Sequence, residues 1–163
     1  FLKKNIDGVQ EGGQLYVKGP NVMLGYIHPD KPGVIQPPEN GWHDTGDIVE
    51  IDDEKFISIK GRVKRFAKIG GEMISLATID GFASDLWPDA TSVAAAKLDP
   101  KKGQRIILIT NCLEAKLEDL RALIKSSGLT EIYVPTQLMI VGEIPLLGSG
   151  KVDYPKIQEL IND

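Results

Sequence analysis

One lysine near the end of the chain stands on a turn that carries few bulky side chains. Residues 145–152 read PLLGSGKV, so Lys151 follows Gly-Ser-Gly after an apolar run. Backbone N–H groups and an ammonium can together hold an anion, but a P-loop requires G-x-x-x-x-G-K-[ST]. Pro145 occupies the first glycine position and Val152 replaces the hydroxyl residue. The stretch is therefore not a P-loop. Taken alone, it favours a surface turn with a solvated lysine over a site at which the lysine binds an anion.

A second polar group lies at residues 42–47, with the sequence WHDTGD. The carboxylate of Asp47 can accept two hydrogen bonds, which suits the vicinal hydroxyls of a ribose. An aspartate that stabilises its own turn is the commoner role in such a stretch. His43 has Ile48 rather than aspartate five positions later, so the acyltransferase pattern is absent. The stretch indicates either a nucleoside site or a self-stabilised turn.

Four cations lie close together in the middle of the chain, and two glycines follow them. In an extended segment, residues two apart share one side and the next residue lies on the other, so the cations can serve different partners. A solvated basic loop is the plain alternative. The glycines allow a close backbone approach to a ligand, or simply turn a hairpin. The residues concerned are Arg62, Lys64, Arg65 and Lys68, followed by Gly70 and Gly71.

Composition is typical of a globular protein of one domain, or of a small domain with part of another. The 163 residues carry a formal net charge of −4, with 26% charged and 42% hydrophobic residues, which excludes a nucleic-acid-binding class. The single cysteine, Cys112, excludes a disulfide framework and cysteine-rich zinc patterns, and neither histidine has a metal-type partner, so no metal site is predicted. No apolar stretch approaches a membrane span. Because the first residue is Phe1 rather than Met, we expect that the chain was cut from a longer protein.

Apolar periodicity predicts two regions that would position these groups. Strands are expected over 12–26, an irregular loop over 28–40, and a hairpin of strands 46–51 and 55–60. The first part, up to about Gly61, is therefore predicted as all-β.

Beyond residue 61 the pattern changes to alternating helices and strands. Ser75 is a suitable N-cap for a helix that ends before Pro88, and Gly128 is a suitable C-terminal residue after a second helix. The order β-hairpin-α-β-β-α-β-α predicts a compact α+β domain, with helices packed on a short central sheet. The later elements are expected as strands 93–98 and 106–109, a helix over 117–124, a strand over 137–141 and a helix over 154–161.

Together these pieces resemble the C-terminal third of the adenylate-forming superfamily of acyl-CoA synthetases, peptide-synthetase adenylation domains and luciferases. Four blocks match in family order and cover nearly the whole chain: residues 13–26, 45–47, 61–72 and 145–151. The resemblance implies a β-rich remnant of the large N-terminal domain over 1–63 and a C-terminal α+β lid domain over 64–163.

The resemblance also implies roles for individual residues. In that family the Thr-Gly-Asp aspartate and the arginine of the Gly-Arg block hold the ribose hydroxyls of ATP, which implies this role for Asp47 and Arg62. The residue two positions after that arginine is the hinge, here Lys64. The late lysine contacts the carboxylate and the α-phosphate during adenylation, which implies a catalytic role for Lys151, an ammonium brought to developing negative charge. A cation on a movable domain can assist one half-reaction and leave for the other.

Residues 61–75 and 145–151 look more narrowly like the bifunctional bacterial 2-acylglycerophosphoethanolamine acyltransferase/acyl-[acyl carrier protein] synthetases. This resemblance implies that the parent activates a long-chain fatty acid as acyl-AMP with ATP and passes it to the phosphopantetheine thiol of acyl carrier protein, in phospholipid acyl turnover. Four residues are expected on the thiol and carrier-protein side, and the two basic ones among them suit an acidic carrier protein. The four residues are Gly70, Gly71, Arg65 and Lys68.

The same resemblance implies ATP/AMP as the nucleotide, Mg²⁺ in the parent with ligands outside this chain, and the missing N-terminal domain as a partner. It implies a parent at the cytoplasmic face of the bacterial inner membrane, and a fragment that is inactive alone. One departure is that the broader family has proline and then glutamates after Ser75, where this chain has Leu76, Thr78 and Asp80. Two alternatives stay open: the lid of an acyl-CoA ligase or other adenylate-forming enzyme, and a non-catalytic carrier-protein-binding module.

Overall fold

The computed structural model describes residues 2–3 and 12–162. The prediction of a longer parent protein rests on Phe1, which lies outside the described residues. The chain divides into two compact units, Phe1–Lys64 and Arg65–Asp163. No helix among the described residues is long and apolar enough to cross a membrane.

The described part of the first unit is built from strands. β1, β2, β5 and β6 form one antiparallel sheet in the order β1-β2-β5-β6, while β3 pairs only with β4. Buried and exposed residues do not alternate regularly along β5, because two register shifts interrupt its pairing, one against β2 and one against β6. The strands are β1 (Leu2–Lys3), β2 (Gly13–Val17), β3 (Tyr26–Ile27), β4 (Ile35–Gln36), β5 (His43–Ile51) and β6 (Ile57–Arg62).

The all-β prediction for this part is confirmed, but the prediction of an irregular loop over 28–40 is wrong in detail. Ile35 and Gln36 pair with β3, and a 3-10 turn forms at Glu39–Gly41. Pairing stops after Gln36 because the two prolines that follow have no N–H to donate.

The second unit is an α+β structure, as predicted. Its five-stranded sheet has the order β11-β10-β7-β8, with β9 paired along the whole of β10. β10 and β11 are parallel, and the other pairs are antiparallel. The elements are β7 (Phe66–Ile69), β8 (Glu72–Ser75), α1 (Leu76–Leu86), β9 (Ser92–Asp99), β10 (Gly103–Thr110), α2 (Leu117–Ser126), β11 (Gln137–Ile140) and α3 (Tyr154–Asn162).

Strand β10 supplies the centre of two apolar cores because both of its faces are covered. Ile106 and Leu108 pack in a cluster with α1 and α2, and Ile107 and Ile109 pack in a cluster with α3. A strand buried on both faces reads as a continuous apolar run, which residues 106–109 show.

The ends of the helices follow the sequence signals. Ser75 Oγ accepts a hydrogen bond from the Thr78 N–H at 3.3 Å and so caps α1. Gly128 adopts a φ of +83° after α2, the left-handed conformation that ends many helices. Both predictions are confirmed.

The chain segment that joins β6 to β7 carries Lys64 and Arg65, and it is not extended. Val63–Arg65 form a 3-10 turn between β6 and β7. The two-residue periodicity of an extended chain therefore does not apply to Lys64 and Arg65, and the direction of their side chains depends on the packing around the turn.

Candidate functional site

Asp47 and Arg62 form an ion pair on the β5–β6 hairpin. They are opposite each other in the strand register, and the Arg62 Nε lies 2.7 Å from the Asp47 Oδ1. The Arg62 Nη1 also donates to the Thr45 carbonyl oxygen at 3.0 Å. The Arg62 side chain is 65% exposed and that of Asp47 is 14% exposed. The hairpin thus presents an acceptor and a donor side by side, which is the combination that a vicinal diol can bind.

The turn at Thr45-Gly46 is stabilised by groups other than the Asp47 carboxylate. The Thr45 hydroxyl accepts from the Asp47 N–H at 3.1 Å and donates to the Leu15 carbonyl oxygen at 2.9 Å. The Asp44 carboxylate accepts from the Gly46 N–H at 2.8 Å, and Gly46 has a φ of +70°. Asp47 therefore has its carboxylate directed to Arg62 rather than to its own turn.

Asp44 is a structural carboxylate that the sequence reasoning did not single out. The Gln14 amide donates to both of its oxygens, at 2.6 and 2.7 Å, and the Tyr16 hydroxyl donates at 3.3 Å. Partial burial opposes ionisation of Asp44, but hydrogen bonds from the Gly46 N–H, Gln14 and Tyr16 outweigh it and hold its pKa below the usual value of 3.8. Desolvation, together with the charge and the hydrogen bond of Asp44, raises the pKa of Tyr16.

An open cavity of about 580 Å³ lies in the first unit, beside the start of β5. Its described lining comprises Lys3, Tyr16, Glu39, Asn40 and Trp42, and does not include the ion pair. The cavity and the Asp47–Arg62 pair are therefore separate features of the first unit.

Lys151 is exposed at the end of a short, well-bonded turn in the second unit. Leu146 and Val152 form a β-bridge, the Leu147 N–H donates to the Lys151 carbonyl oxygen at 2.7 Å, and the Gly150 N–H donates to the Leu147 carbonyl oxygen at 2.8 Å. Gly150 has a φ of +80°, which a side chain would disfavour. Hydrogen bonds therefore close the turn beneath Lys151, and the lysine itself is exposed.

Arg65, predicted for the carrier-protein side, has a largely sheltered side chain in the second unit. Its side chain is 13% exposed and forms an ion pair with Asp80. Its Nη1 donates to the Ala94 carbonyl oxygen at 2.8 Å. Burial raises the pKa of Asp80, although the Arg65 guanidinium and the Ala94 N–H oppose it. Sequence reasoning placed Arg65 at a partner surface because the cation cluster gave no sign that Asp80, 15 residues later, pairs with it.

Lys64, Lys68 and the two glycines remain at the surface. Gly70 and Gly71 turn the β7–β8 hairpin with φ values of +59° and +94°, and a Cβ at either would meet nothing within 4 Å. The Gly70 N–H donates to the Lys102 carbonyl oxygen at 3.0 Å, which places the β9–β10 turn against the glycines. The structure thus adds exposed lysines at 101 and 102 to this surface.

Among residues 2–3 and 12–162 there is no group of three or more His, Cys, Asp or Glu side chains that could hold a metal ion.

Comparison with known proteins finds relatives whose sequences match nearly the whole of this chain. The salicylyl-CoA synthase/salicylate adenylyltransferase of a Streptomyces species is 28% identical over 154 residues, which cover 93% of this chain and 28% of that protein. The 2,3-dihydroxybenzoate-AMP ligase of Bacillus subtilis is 27% identical over 157 residues, which cover 94% and 29%. No family model matches the sequence.

A solved structure shares the fold. The o-succinylbenzoate CoA synthetase from Bacillus subtilis, in complex with the acyl-adenylate intermediate OSB-AMP, matches with a TM-score of 0.72 at 24% identity. The match covers 91% of this chain and 31% of that one. This chain therefore spans less than a third of the proteins named here. The comparisons support the resemblance to adenylate-forming ligases, and they show the predicted α+β fold.

Proposed function

We propose that this chain is the C-terminal part of an ATP-dependent, AMP-forming acid–thiol ligase. The observation that carries the proposal is the Asp47–Arg62 pair, in which the carboxylate of the Thr-Gly-Asp stretch faces an exposed guanidinium across the hairpin. The similarity to aryl-acid ligases over more than nine-tenths of the chain supports the same assignment.

In this proposal Asp47 and Arg62 bind the ribose of ATP or AMP. The Asp47 carboxylate can only accept hydrogen bonds, and the two hydroxyls of a ribose can only be held there as donors. Arg62 orients that carboxylate and offers its remaining N–H groups to the same ligand. These two residues therefore fit the ribose of a nucleotide. The proposal names no residue of the first unit that binds the phosphates.

Lys151 is proposed as the catalytic lysine of adenylation. A carboxylate that attacks the α-phosphate brings two anions together, and a fixed ammonium stabilises the charge that develops. The bonded turn beneath Lys151 supplies the fixed backbone that such a role requires.

Lys64 is proposed as the hinge between a remnant of the large domain, residues 1–63, and the lid, residues 64–163. The 3-10 turn at Val63–Arg65 is a short element whose few dihedral angles can absorb a rotation. Rotation there would deliver Lys151 for adenylation and withdraw it for thioester formation.

The finer proposal is an acyl-[acyl carrier protein] synthetase that uses a long-chain fatty acid, within a bifunctional 2-acylglycerophosphoethanolamine acyltransferase at the inner membrane. The support is the basic surface around Gly70 and Gly71, where Lys68 is joined by Lys101 and Lys102. Acidic carriers are steered to such surfaces. Arg65 is left out because its guanidinium is sheltered by Asp80. A K101E/K102E variant that keeps the parental KM for carrier protein would contradict this surface.

An acyl-CoA or aryl-CoA ligase is the second candidate. The relatives favour it, since the Streptomyces protein is a salicylyl-CoA synthase and the structural neighbour is a CoA synthetase. The two candidates differ in the thiol acceptor.

The missing N-terminal domain of the parent is the partner proposed for the first unit. Phe56, Ile57 and Ile59 of the β5–β6 hairpin are 66%, 51% and 68% exposed. Apolar side chains clustered on one hairpin favour a protein contact. The relatives are more than three times as long as the part that this chain spans, which leaves ample sequence for that domain.

The experiment is a Lys151→Ala substitution in the full-length parent, with the two half-reactions assayed separately. We expect acid-dependent pyrophosphate exchange to fall by about 10²- to 10³-fold, because one charge-stabilising group is lost from the transition state. Transfer from supplied acyl-adenylate to the thiol should be unchanged, and comparing carrier protein with coenzyme A decides between the two candidates.

The matched control is Lys116→Ala, an exposed lysine that precedes α2. It should alter neither half-reaction. If pyrophosphate exchange survives in Lys151→Ala, Lys151 is a turn residue, and a non-catalytic carrier-protein-binding module becomes the better explanation.

A further inference from the structure

Arg65 follows the proposed hinge residue directly and reaches the end of the Lys151 turn. Besides its ion pair with Asp80, its guanidinium lies over the ring of Tyr154, with the Cζ 4.6 Å from the ring centroid. A guanidinium is planar, so it can donate in its plane to Asp80 and Ala94 while its face stacks on an aromatic ring. One side chain therefore joins α1, β9 and α3.

Tyr154 is the residue at which the Lys151 turn becomes helix α3. The preceding Asp153 is 8% exposed, its N–H donates to the Pro145 carbonyl oxygen at 2.9 Å, and its Oδ1 accepts from the Lys156 N–H at 3.2 Å. Asp153 thus closes the turn and caps α3. Asp153 and Tyr154 therefore connect the Lys151 turn to helix α3 and fix the orientation of the turn.

We infer that Arg65 is a positioning residue that fixes the Lys151 turn relative to the hinge through its stack on Tyr154. Asp80 and the Ala94 carbonyl oxygen hold the guanidinium through its N–H groups, so the ring is packed against a group that is itself anchored. A rotation that begins at Lys64 then moves Arg65, Tyr154 and the turn as one body. The inference rests on the proposed function for its consequence in catalysis, but the contact itself can be tested without it.

The stack differs from an ordinary stabilising contact in what its loss should change. A merely structural contact would affect the stability of the whole unit. A positioning contact should also loosen the turn itself, where the Leu147 N–H bonds the Lys151 carbonyl oxygen, and leave amides that open locally elsewhere, such as that of Gly128, unaffected.

The first test is amide hydrogen exchange on the 163-residue chain, comparing Tyr154→Leu with Tyr154→Phe. Phenylalanine keeps the ring face and leucine removes it. We expect the Leu147 amide to exchange about threefold to tenfold faster in Tyr154→Leu, the range that loss of a cation–π contact gives. The Gly128 amide, which donates to the Lys125 carbonyl oxygen at the end of α2, should keep its parental rate, and Tyr154→Phe should match the parent at both.

Arg65→Lys provides a second variant that retains the charge beside Asp80. Lysine lacks the planar face, so it should loosen the Leu147 amide as Tyr154→Leu does. A parental exchange rate at Leu147 in Tyr154→Leu would overturn the inference, as would an equal acceleration at Gly128.

The second test assays the two half-reactions in the full-length parent that carries Tyr154→Leu. We expect kcat of adenylation to fall about threefold to tenfold with KM for ATP unchanged, and thiol transfer to stay parental. If Lys151→Ala blocks adenylation but Tyr154→Leu leaves it unchanged, the positioning inference fails and the proposed function stands. If Lys151→Ala has no effect, the proposed function fails, and the exchange experiment still decides whether Arg65 holds the turn.

Discussion

The interactions that stabilise the first unit differ from those that stabilise the second. In the second unit, apolar side chains fill both faces of a sheet, with α1 and α2 on one side and α3 on the other. In the described part of the first unit, Ile48 and Val49 are the buried apolar side chains. The second unit is thus shaped by its own cores, while the first depends on strand pairing and on polar contacts such as those of Asp44.

The same contrast separates the two arginine–aspartate pairs. Arg65 and Asp80 are 13% and 27% exposed and bond further backbone groups, so they belong to the packing of the second unit. Arg62 is 65% exposed although Asp47 is only 14% exposed, so this pair presents its guanidinium, with one edge of its carboxylate, at the surface. Cations that are neighbours in sequence can therefore have opposite roles, one architectural and one available for binding.

The largest expected difference between the units comes from deleting an apolar side chain in each. Leu108→Ala should lower the free energy of unfolding of the second unit by about 2–5 kcal/mol, because Leu108 is fully buried and a cavity would remain. Ile59→Ala should change that of the first by no more than about 0.5 kcal/mol, since Ile59 is 68% exposed.

Two tryptophans allow each unit to be followed separately, Trp42 in the first and Trp87 in the second. Chemical denaturation monitored by fluorescence in a Trp42→Phe background reports on the second unit, and a Trp87→Phe background reports on the first. Equal effects of Leu108→Ala and Ile59→Ala would contradict this difference between the two units.

A smaller difference is expected between the two ion pairs. Asp80→Asn should destabilise the second unit by about 1–3 kcal/mol, because it leaves the sheltered Arg65 guanidinium without its charge partner. Asp47→Asn should cost the first unit at most about 1 kcal/mol, because Arg62 is solvated. Thermal unfolding in the two single-tryptophan backgrounds measures both, and a larger loss for Asp47→Asn would contradict the assignment of Asp80 to the architecture.

The smallest predicted effect is the acid response of the first unit. Because hydrogen bonds lower the folded pKa of Asp44, its contribution to stability is present above the usual value of 3.8 and is lost as the pH falls through the lowered folded pKa. Asp44→Asn should remove this part of the pH dependence when unfolding is followed through Trp42. The control Asp53→Asn, in the exposed turn between β5 and β6, should retain it.

The sequence was most informative where local signals and burial agree. The apolar run at 106–109, the cap at Ser75 and the glycine at 128 each predict the element that forms, because each signal depends on residues a few positions apart. It was least informative at 28–40, where the β3–β4 pair depends on a partner eight or more residues away and on only two residues per strand.

The candidate site shows the same division. The types and order of Asp47, Arg62 and Lys151 follow from the sequence, since a motif records which chemical groups are present and how far apart they lie along the chain. The pairing of Asp47 with Arg62 depends on the register between β5 and β6. The inward turn of Arg65 depends on Asp80 and Tyr154, which the fold brings from α1 and α3. Sequence therefore determined the chemistry that is available, and tertiary structure decided which cation is exposed to a ligand and which is packed, because burial and pairing are properties of neighbours in space.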